Sequence, residues 1–321
     1  MSLSQRQTFK TTRGYTYSYL YSPAKASTET TLLFLHGFPS HADDWALQLS
    51  YFSENGHGVI APDLLGYGQS SKPDGAESYT FKGMSDDIVQ LLDHLQAESV
   101  IGVGHDFGAN FLGRLAAYYP SRFSALAFLA VGSAKPGREF DIDMIQQMTK
   151  KAVGFEMFGY ISFLGGDEDP HPLLEANAES AMSLLFAQDQ TAWMRWFHPL
   201  GAMKQFVTEG QQLAVGNWYT QELQERHLSA FGAKDGYKGA TRWYRMLIRN
   251  ESIPDEAAIA DVSLQQPSVI VANGQSMAQQ KQMLDEWVPN LTAKVLEGGH
   301  WTHIECGEQV NQILDSLIAL L

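Results

Sequence analysis

Cysteine is nearly missing from this chain of 321 residues. Cys306 stands alone, so no disulfide can form within the chain, and a reducing compartment suits it. Basic charge is scarce as well. Lys and Arg number 22 against 36 Asp and Glu, and the net charge of −14 argues against nucleic-acid backbones and anionic membrane surfaces as partners. No apolar run approaches the ~20 residues that a membrane helix needs. Met1 to Tyr21 alternates polar and aromatic residues without an apolar signal core, and Ile318-Ala319-Leu320-Leu321 is not a peroxisomal address. A cytoplasmic location is therefore the expectation. Metal-ligand spacings, phosphate loops and nucleotide fingerprints are also missing, so no metal and no cofactor are expected.

What is present reads as a globular enzyme, with 44% apolar and 18% charged residues and length enough to bury a large core. Gln5–Thr12 and Tyr15–Tyr21 form a strand pair about Arg13-Gly14, and Thr31–Leu35 and Val59–Ala61 are buried-strand runs. Tyr79–Gln96 carries Met84, Ile88, Leu91, Leu92 and Leu95 on one helical stripe. A strand at Val100, a helix through Tyr119 and a strand over Ala125–Val131 follow. Apolar strands alternating with helices predict a parallel sheet covered on both faces.

From about Lys135 to Asp255 that rhythm gives way to mostly helical patterning, with four of the seven tryptophans and seven of the eleven methionines. Strand–helix alternation then resumes through Ser268–Ala272, Met277–Val288, Ala293–Leu296 and Ile304–Leu321. The expected organisation is an α/β core of residues 1–134 and 256–321 interrupted by a helical cap of residues 135–255. The cap's methionines suit a wide apolar pocket, and they suit the cap's own core equally well.

The most informative run is Val100-Ile101-Gly102-Val103-Gly104-His105-Asp106-Phe107-Gly108-Ala109. A buried strand, a sharp turn hemmed by glycines and a helix are the parts of a nucleophile elbow. The residue lifted by the turn is a carboxylate, which is already charged at pH 7 and attacks saturated carbon without first losing a proton. A dinucleotide reading of Gly102, Gly104 and Gly108 fails, because Asp106 would repel a pyrophosphate.

Two further segments complete a constellation. His36-Gly37-Phe38-Pro39 follows an earlier strand, and Gly298-Gly299-His300-Trp301 follows the last one. An oxyanion loop, then a nucleophile, then a late histidine is the order of the α/β-hydrolase fold. On these motifs the chain resembles the soluble epoxide hydrolase family over nearly its whole length, and it shares them with haloalkane dehalogenases. Members of the former carry two cap tyrosines, in Phe-x-Tyr and Trp-Tyr-Arg contexts. Tyr160 in Phe158-Gly159-Tyr160 and Tyr244 in Trp243-Tyr244-Arg245 match them.

The resemblance implies Asp106 as nucleophile, His300 as base, and Tyr160 and Tyr244 as phenols that protonate the opening epoxide oxygen. The backbone N–H groups of Phe38 and Phe107 are the implied oxyanion donors, while His36, Pro39 and Trp45 complete the oxyanion and substrate side. The implied substrate is a small apolar epoxide, opened to a vicinal diol, and a homo-oligomer is compatible with the chain. Dehalogenases place an indole or an arginine after the nucleophile, where this chain has Phe107, which has no side-chain donor.

One departure stands out. The family's third residue, an acid that holds the histidine tautomer, belongs after the seventh strand, and Asn273-Gly274-Gln275-Ser276 carries Ser276 there. Ala130-Val131-Gly132-Ser133, the alternative place, holds no acid, and Glu139, Asp141 and Asp285 sit in no recognised slot. An epoxide isomerase or cyclase, a haloalkane dehalogenase and a non-catalytic ligand-binding protein on the same scaffold remain open alternatives.

Overall fold

The computed structural model describes residues 6–26, 29–189 and 191–321; Gln5, which opens the first expected strand, lies outside the described residues. Strands β1 (Gln7–Lys10), β2 (Thr16–Ser22), β3 (Thr31–Leu35), β4 (Gly58–Pro62), β5 (Val100–His105), β6 (Phe123–Leu129), β7 (Ser268–Ala272) and β8 (Leu291–Val295) pair into one sheet. Their order is β1-β2-β4-β3-β5-β6-β7-β8. The pairs β1–β2 and β2–β4 are antiparallel, and every other pair is parallel. The parallel strands from β4 to β7 are buried along almost their whole length, which is why they read as continuous apolar runs. β8 is an edge strand and exposes four of its five residues.

The sheet is the expected one, with small displacements at its ends. β6 stops at Leu129 because Ala130 turns into the left-handed region at φ 66°. The last expected helix is broken at Cys306, whose dihedrals (φ −124°, ψ 39°) are not helical, into Thr302–Glu305 and Gly307–Ile318.

Strand order places the chemistry. From β3 the chain moves one way to β4 and then crosses to β5 on the other side of β3. The loops after β3 and β5 therefore diverge and open a crevice at the carboxyl ends of these strands, where parallel sheets take ligands. Leu35 pairs with Gly104, so His36-Gly37-Phe38 leaves the sheet level with the elbow. Leu32, Phe34, Ile101, Val103, Ala127 and Val271 form the core behind it. Each large apolar side chain buried this way contributes roughly 1.5–3 kcal/mol, which gives the loops a rigid base.

The chain divides into two units: one of residues up to 71 with 81–138 and 253–321, the other of residues 72–80 and 139–252. In the sheet unit the chain leaves and returns at one place, held by a buried ion pair. Arg114 Nε lies 3.1 Å from Glu256 Oε1, and its Nη1 donates to the Ala134 carbonyl at 2.6 Å. Glu256 Oε2 in turn accepts from Gly137 N–H at 2.6 Å. A buried pair with this many hydrogen bonds keeps both charges satisfied.

The second unit is helical. Residues 72–80 belong to it through the helix Lys238–Ile248, whose Arg242 donates to the Asp74 carbonyl at 2.7 Å and to Asp169 at 2.7 and 3.0 Å. The helix Gly159–Gly165 lies against Lys238–Ile248 so closely that a Cβ on Gly165 would come within 2.6 Å of the Tyr244 carbonyl oxygen. Only glycine permits that approach. Met182, Met203 and Met246 pack inside this unit, whereas Met144, Met148 and Met194 are exposed. Among the described residues no helix is long and apolar enough to cross a membrane.

Candidate active site

β5 ends at His105, and the helix Phe107–Tyr118 begins one residue after Asp106. The chain must reverse within that one residue, so Asp106 adopts φ 53° and ψ −123°. This is a strained conformation for an aspartate, tolerated because the core over-determines it. The turn is tight enough that a Cβ on Gly108 would strike the backbone of Leu35 and His36. The strain projects a carboxylate that retains about 20% of its side-chain exposure.

Each carboxylate oxygen has its own neighbour. Oδ1 accepts the Phe38 N–H at 2.9 Å, and Oδ2 lies 3.5 Å from His300 Nε2. Burial works to raise the pKa of this group. The hydrogen bond and charge of His300, with His105 and the Phe38 N–H, outweigh it and hold the carboxyl below the usual aspartate range. Asp106 is thus kept anionic. Phe107, the first residue of its helix, belongs to the turn whose N–H groups have no partner inside the helix.

The loop after β8 brings His300 to this carboxylate and is pinned from both sides. Glu305 Oε2 accepts from Gly299 N–H at 2.8 Å, and its Oε1 accepts from Trp301 N–H at 3.0 Å. His105 Nε2 lies 2.9 Å from the His300 carbonyl and must be the donor, since a carbonyl only accepts. Glu305 was not among the residues singled out in the sequence. Its signal there is slight, a glutamate five residues after the histidine.

His36, fully buried, ties two loops together. Its Nδ1 donates to the Gly37 carbonyl at 3.0 Å, and its Nε2 accepts Leu64 N–H at 3.0 Å. Phe38 and Pro39 are buried and joined by a cis peptide. Trp45 is wholly buried in the core, with its ring 5.2 Å from Phe34 and 4.4 Å from His303. The ring is committed to packing there.

Three histidines beneath the site are held neutral by burial. It lowers His36 to about 4, His105 to about 3 and His303 well below the ordinary value. An unfolded chain titrates these rings near 6.5, so between that pH and the folded values the unfolded state binds more protons. Their stabilisation is complete above pH ~6.5 and is lost as pH falls. His41 runs the other way. Asp44, Asp43 and Asp63 overcome its burial and raise it to about 9, so its contribution declines only as pH rises from ~6.5 through 9. For His36 and His105 together the loss at pH 5 is about 4 kcal/mol, a large part of an ordinary folding free energy. The urea midpoint is expected to drop steeply from pH 7 to pH 5. An unchanged midpoint would contradict the neutral assignments.

In the helical unit, Tyr160 lies on the first turn of Gly159–Gly165 and Tyr244 in the middle of Lys238–Ile248. The close helix approach at Gly165 brings their rings to 6.1 Å between centroids, edge to face at 82°. Phe197 stacks on Tyr160 at 4.2 Å. Tyr244 is buried and Tyr160 half-buried.

The Ser276 side chain is committed locally. Its hydroxyl and its backbone N–H both donate to Asn273 Oδ1, each at 2.9 Å. Asp141 caps the helix Ile142–Val153 by accepting from Met144 N–H, Asp285 pairs with Lys281, and Glu139 is exposed. Among the described residues no group of His, Cys, Asp and Glu is arranged to hold a metal ion.

The sheet, the elbow and the late histidine define an α/β-hydrolase, and the model of the α/β-hydrolase fold family matches residues 30–158. The bifunctional epoxide hydrolase 2 of Mus musculus is 27% identical over 292 residues, covering 88% of this chain and 50% of that protein. The chain thus spans about half the length of these bifunctional relatives. Epoxide hydrolase A of Mycobacterium tuberculosis is 29% identical over 247 residues, covering 75% of this chain and 74% of that one. The solved structure of epoxide hydrolase A from Mycobacterium thermoresistibile superposes with a TM-score of 0.82 at 25% identity, covering 98% of both chains. The chain thus has the α/β-hydrolase fold and is similar in sequence and structure to epoxide hydrolases.

Proposed function

We propose that this protein hydrolyses a small apolar epoxide to a vicinal diol through an ester on Asp106. The observation that carries the reading is the division of labour at the Asp106 carboxylate, with Oδ1 on the Phe38 N–H and Oδ2 toward His300. Oδ2 attacks a ring carbon, the C–O bond breaks, and the departing oxygen takes a proton from the Tyr160 and Tyr244 phenols. A phenol near pKa ~10 is protonated at pH 7 yet acidic enough to bond strongly to a forming alkoxide. Water then attacks Cγ of the ester as His300 takes its proton. The negative charge gathers on Oδ1, against the N–H groups of Phe38 and Phe107. As the Cγ–Oδ2 bond breaks, Oδ2 leaves in the diol and takes the proton from His300, and the proton remaining from water on the Asp106 carboxyl returns to the phenolate.

Residues 135–255 are the cap segment in this reading. The single cysteine and the acidic balance support a cytoplasmic enzyme without nucleic-acid or membrane partners.

The oxygen bookkeeping supplies the test. A single turnover of styrene oxide in ¹⁸O-water is expected to place the label in the Asp106 peptide and leave the first diol unlabelled at the new hydroxyl. Label in the diol with none in Asp106 would mean direct attack by water and would sink the ester. The second reading is isomerisation or cyclisation, in which a group within the substrate replaces water. The commitment of Ser276 to Asn273, where the family carries an acid, favours it. A ring-opened product other than the diol, with label neither in it nor in Asp106, would select it.

A further inference from the structure

We infer that Arg242 is a positioning residue for the phenol pair, holding the helix of Tyr160 where both hydroxyls serve one oxygen. The inference rests on Tyr160 and Tyr244 protonating the opening epoxide. A hydroxyl donates over about 2.5–3.0 Å and weakens steeply with misalignment. Phenols on two helices share one oxygen only while the helices keep their separation to a fraction of an ångström. The helix Gly159–Gly165, which carries Tyr160, is too short to hold a place of its own. At its start, Gly159 N–H donates to the His198 carbonyl at 2.8 Å, and Phe197 stacks on the Tyr160 ring. Its other end meets the helix of Tyr244 at Gly165 and is tied down by two arginines of that helix.

Arg242 grips Asp169, just beyond the Tyr160 helix, through both terminal nitrogens: Nη1 to Oδ1 at 3.0 Å and Nη2 to Oδ2 at 2.7 Å. Its Nε donates to the Asp74 carbonyl at 2.7 Å, which holds the guanidinium itself from a third direction. Arg245 Nη2 adds a bond at 2.5 Å to the carbonyl of Gly166, the first residue after that helix. A fork-to-fork pair of this kind fixes direction as well as distance. The bonds from Arg242 also hold the Asp169 carboxyl below the usual carboxylate range, so the pair stays charged. The helix of one phenol is thereby tied to the chain that leaves the helix of the other.

The test is a double-mutant cycle on ester formation, read as added mass on the intact protein after mixing with excess styrene oxide. Every member carries His300→Gln, so that the ester accumulates once formed. Arg242→Gln is expected to slow ester formation roughly 10- to 10²-fold, the cost of a misplacement of up to an ångström. That cost stays at or below the cost of Tyr160→Phe, since displacing a donor removes no more than deleting it. With Tyr160→Phe already present, Arg242→Gln is expected to cost less than about threefold, because the hydroxyl it positions is gone. Should Arg242→Gln not fold, Asp169→Asn, at the more exposed end of the pair, carries the same comparison.

Ester formation that Arg242→Gln leaves unchanged overturns the role of Arg242 alone. A fall by the same factor with and without the Tyr160 hydroxyl overturns it too, since a general loss of structure does not depend on that hydroxyl. Undiminished ester formation in Tyr160→Phe with Tyr244→Phe would instead remove the phenol reading on which the inference stands. No ester in His300→Gln itself would remove the nucleophile reading beneath both.

Discussion

Replacing His300 with glutamine is expected to leave a protein that attaches an epoxide to Asp106 and then stalls. The carboxylate keeps its hydrogen bond from Phe38 N–H, and its attack on carbon needs no base. Glutamine fills the imidazole's space and can still donate toward Oδ2, so alkylation continues. It cannot accept a proton from water at neutral pH. Loss of a base in a triad costs on the order of 10⁴-fold or more in turnover. The intact protein is expected to gain the mass of one epoxide, with the added mass on the Asp106 peptide. Unmodified protein after prolonged exposure to a range of epoxides would mean that Asp106 does not attack carbon.

The double variant Tyr160→Phe with Tyr244→Phe is expected to fail one step earlier. The rings meet edge to face at 6.1 Å, and Phe preserves that packing and the stack of Tyr160 on Phe197. Folding is therefore retained while both proton donors are lost. Removing one donor to a developing oxyanion costs about 10²–10³-fold. Two donors to the same oxygen share the work, so a single variant keeps part of the rate and the double variant loses nearly all of it. No ester is expected to form, which separates this result from that of His300→Gln. Turnover near the parent rate in the double variant would remove the tyrosines from the mechanism.

Much of this was legible before any coordinates, and the reason is the range of the forces involved. The strands from β4 to β7 are buried on both faces, so their apolar runs stand out without knowledge of a partner. The elbow is legible because its constraints fall within a few residues: strand, small residue, strained Asp106, small residue, helix. Ser276, at the position where the resemblance implies an acid, is likewise read directly from the sequence.

Other features depend on residues far apart. Trp45 follows the His36–Pro39 loop closely and was expected on the substrate side, yet the fold commits its ring to the core against Phe34 and His303. Its environment is set by a residue more than 250 positions away. The Glu305 clamp escaped notice for another reason. Its partners are backbone N–H groups, which every residue but proline carries, so no pattern of side chains announces the contact. The pairing of Tyr160 with Tyr244 needed the close passage at Gly165, which sequence shows only as one more glycine.

The sequence by itself determined the class of fold, the carboxylate at the elbow, the late histidine and the serine at position 276. All of these are written in short-range pattern or in residue identity. Tertiary structure alone decided which oxygen of Asp106 meets Phe38 and which faces His300. It also decided that the His300 loop is held by Glu305 and His105, and that three histidines stay neutral below the site. The physical reason is that hydrogen-bond direction and desolvation depend on what the fold brings near, and distance along the chain does not encode it.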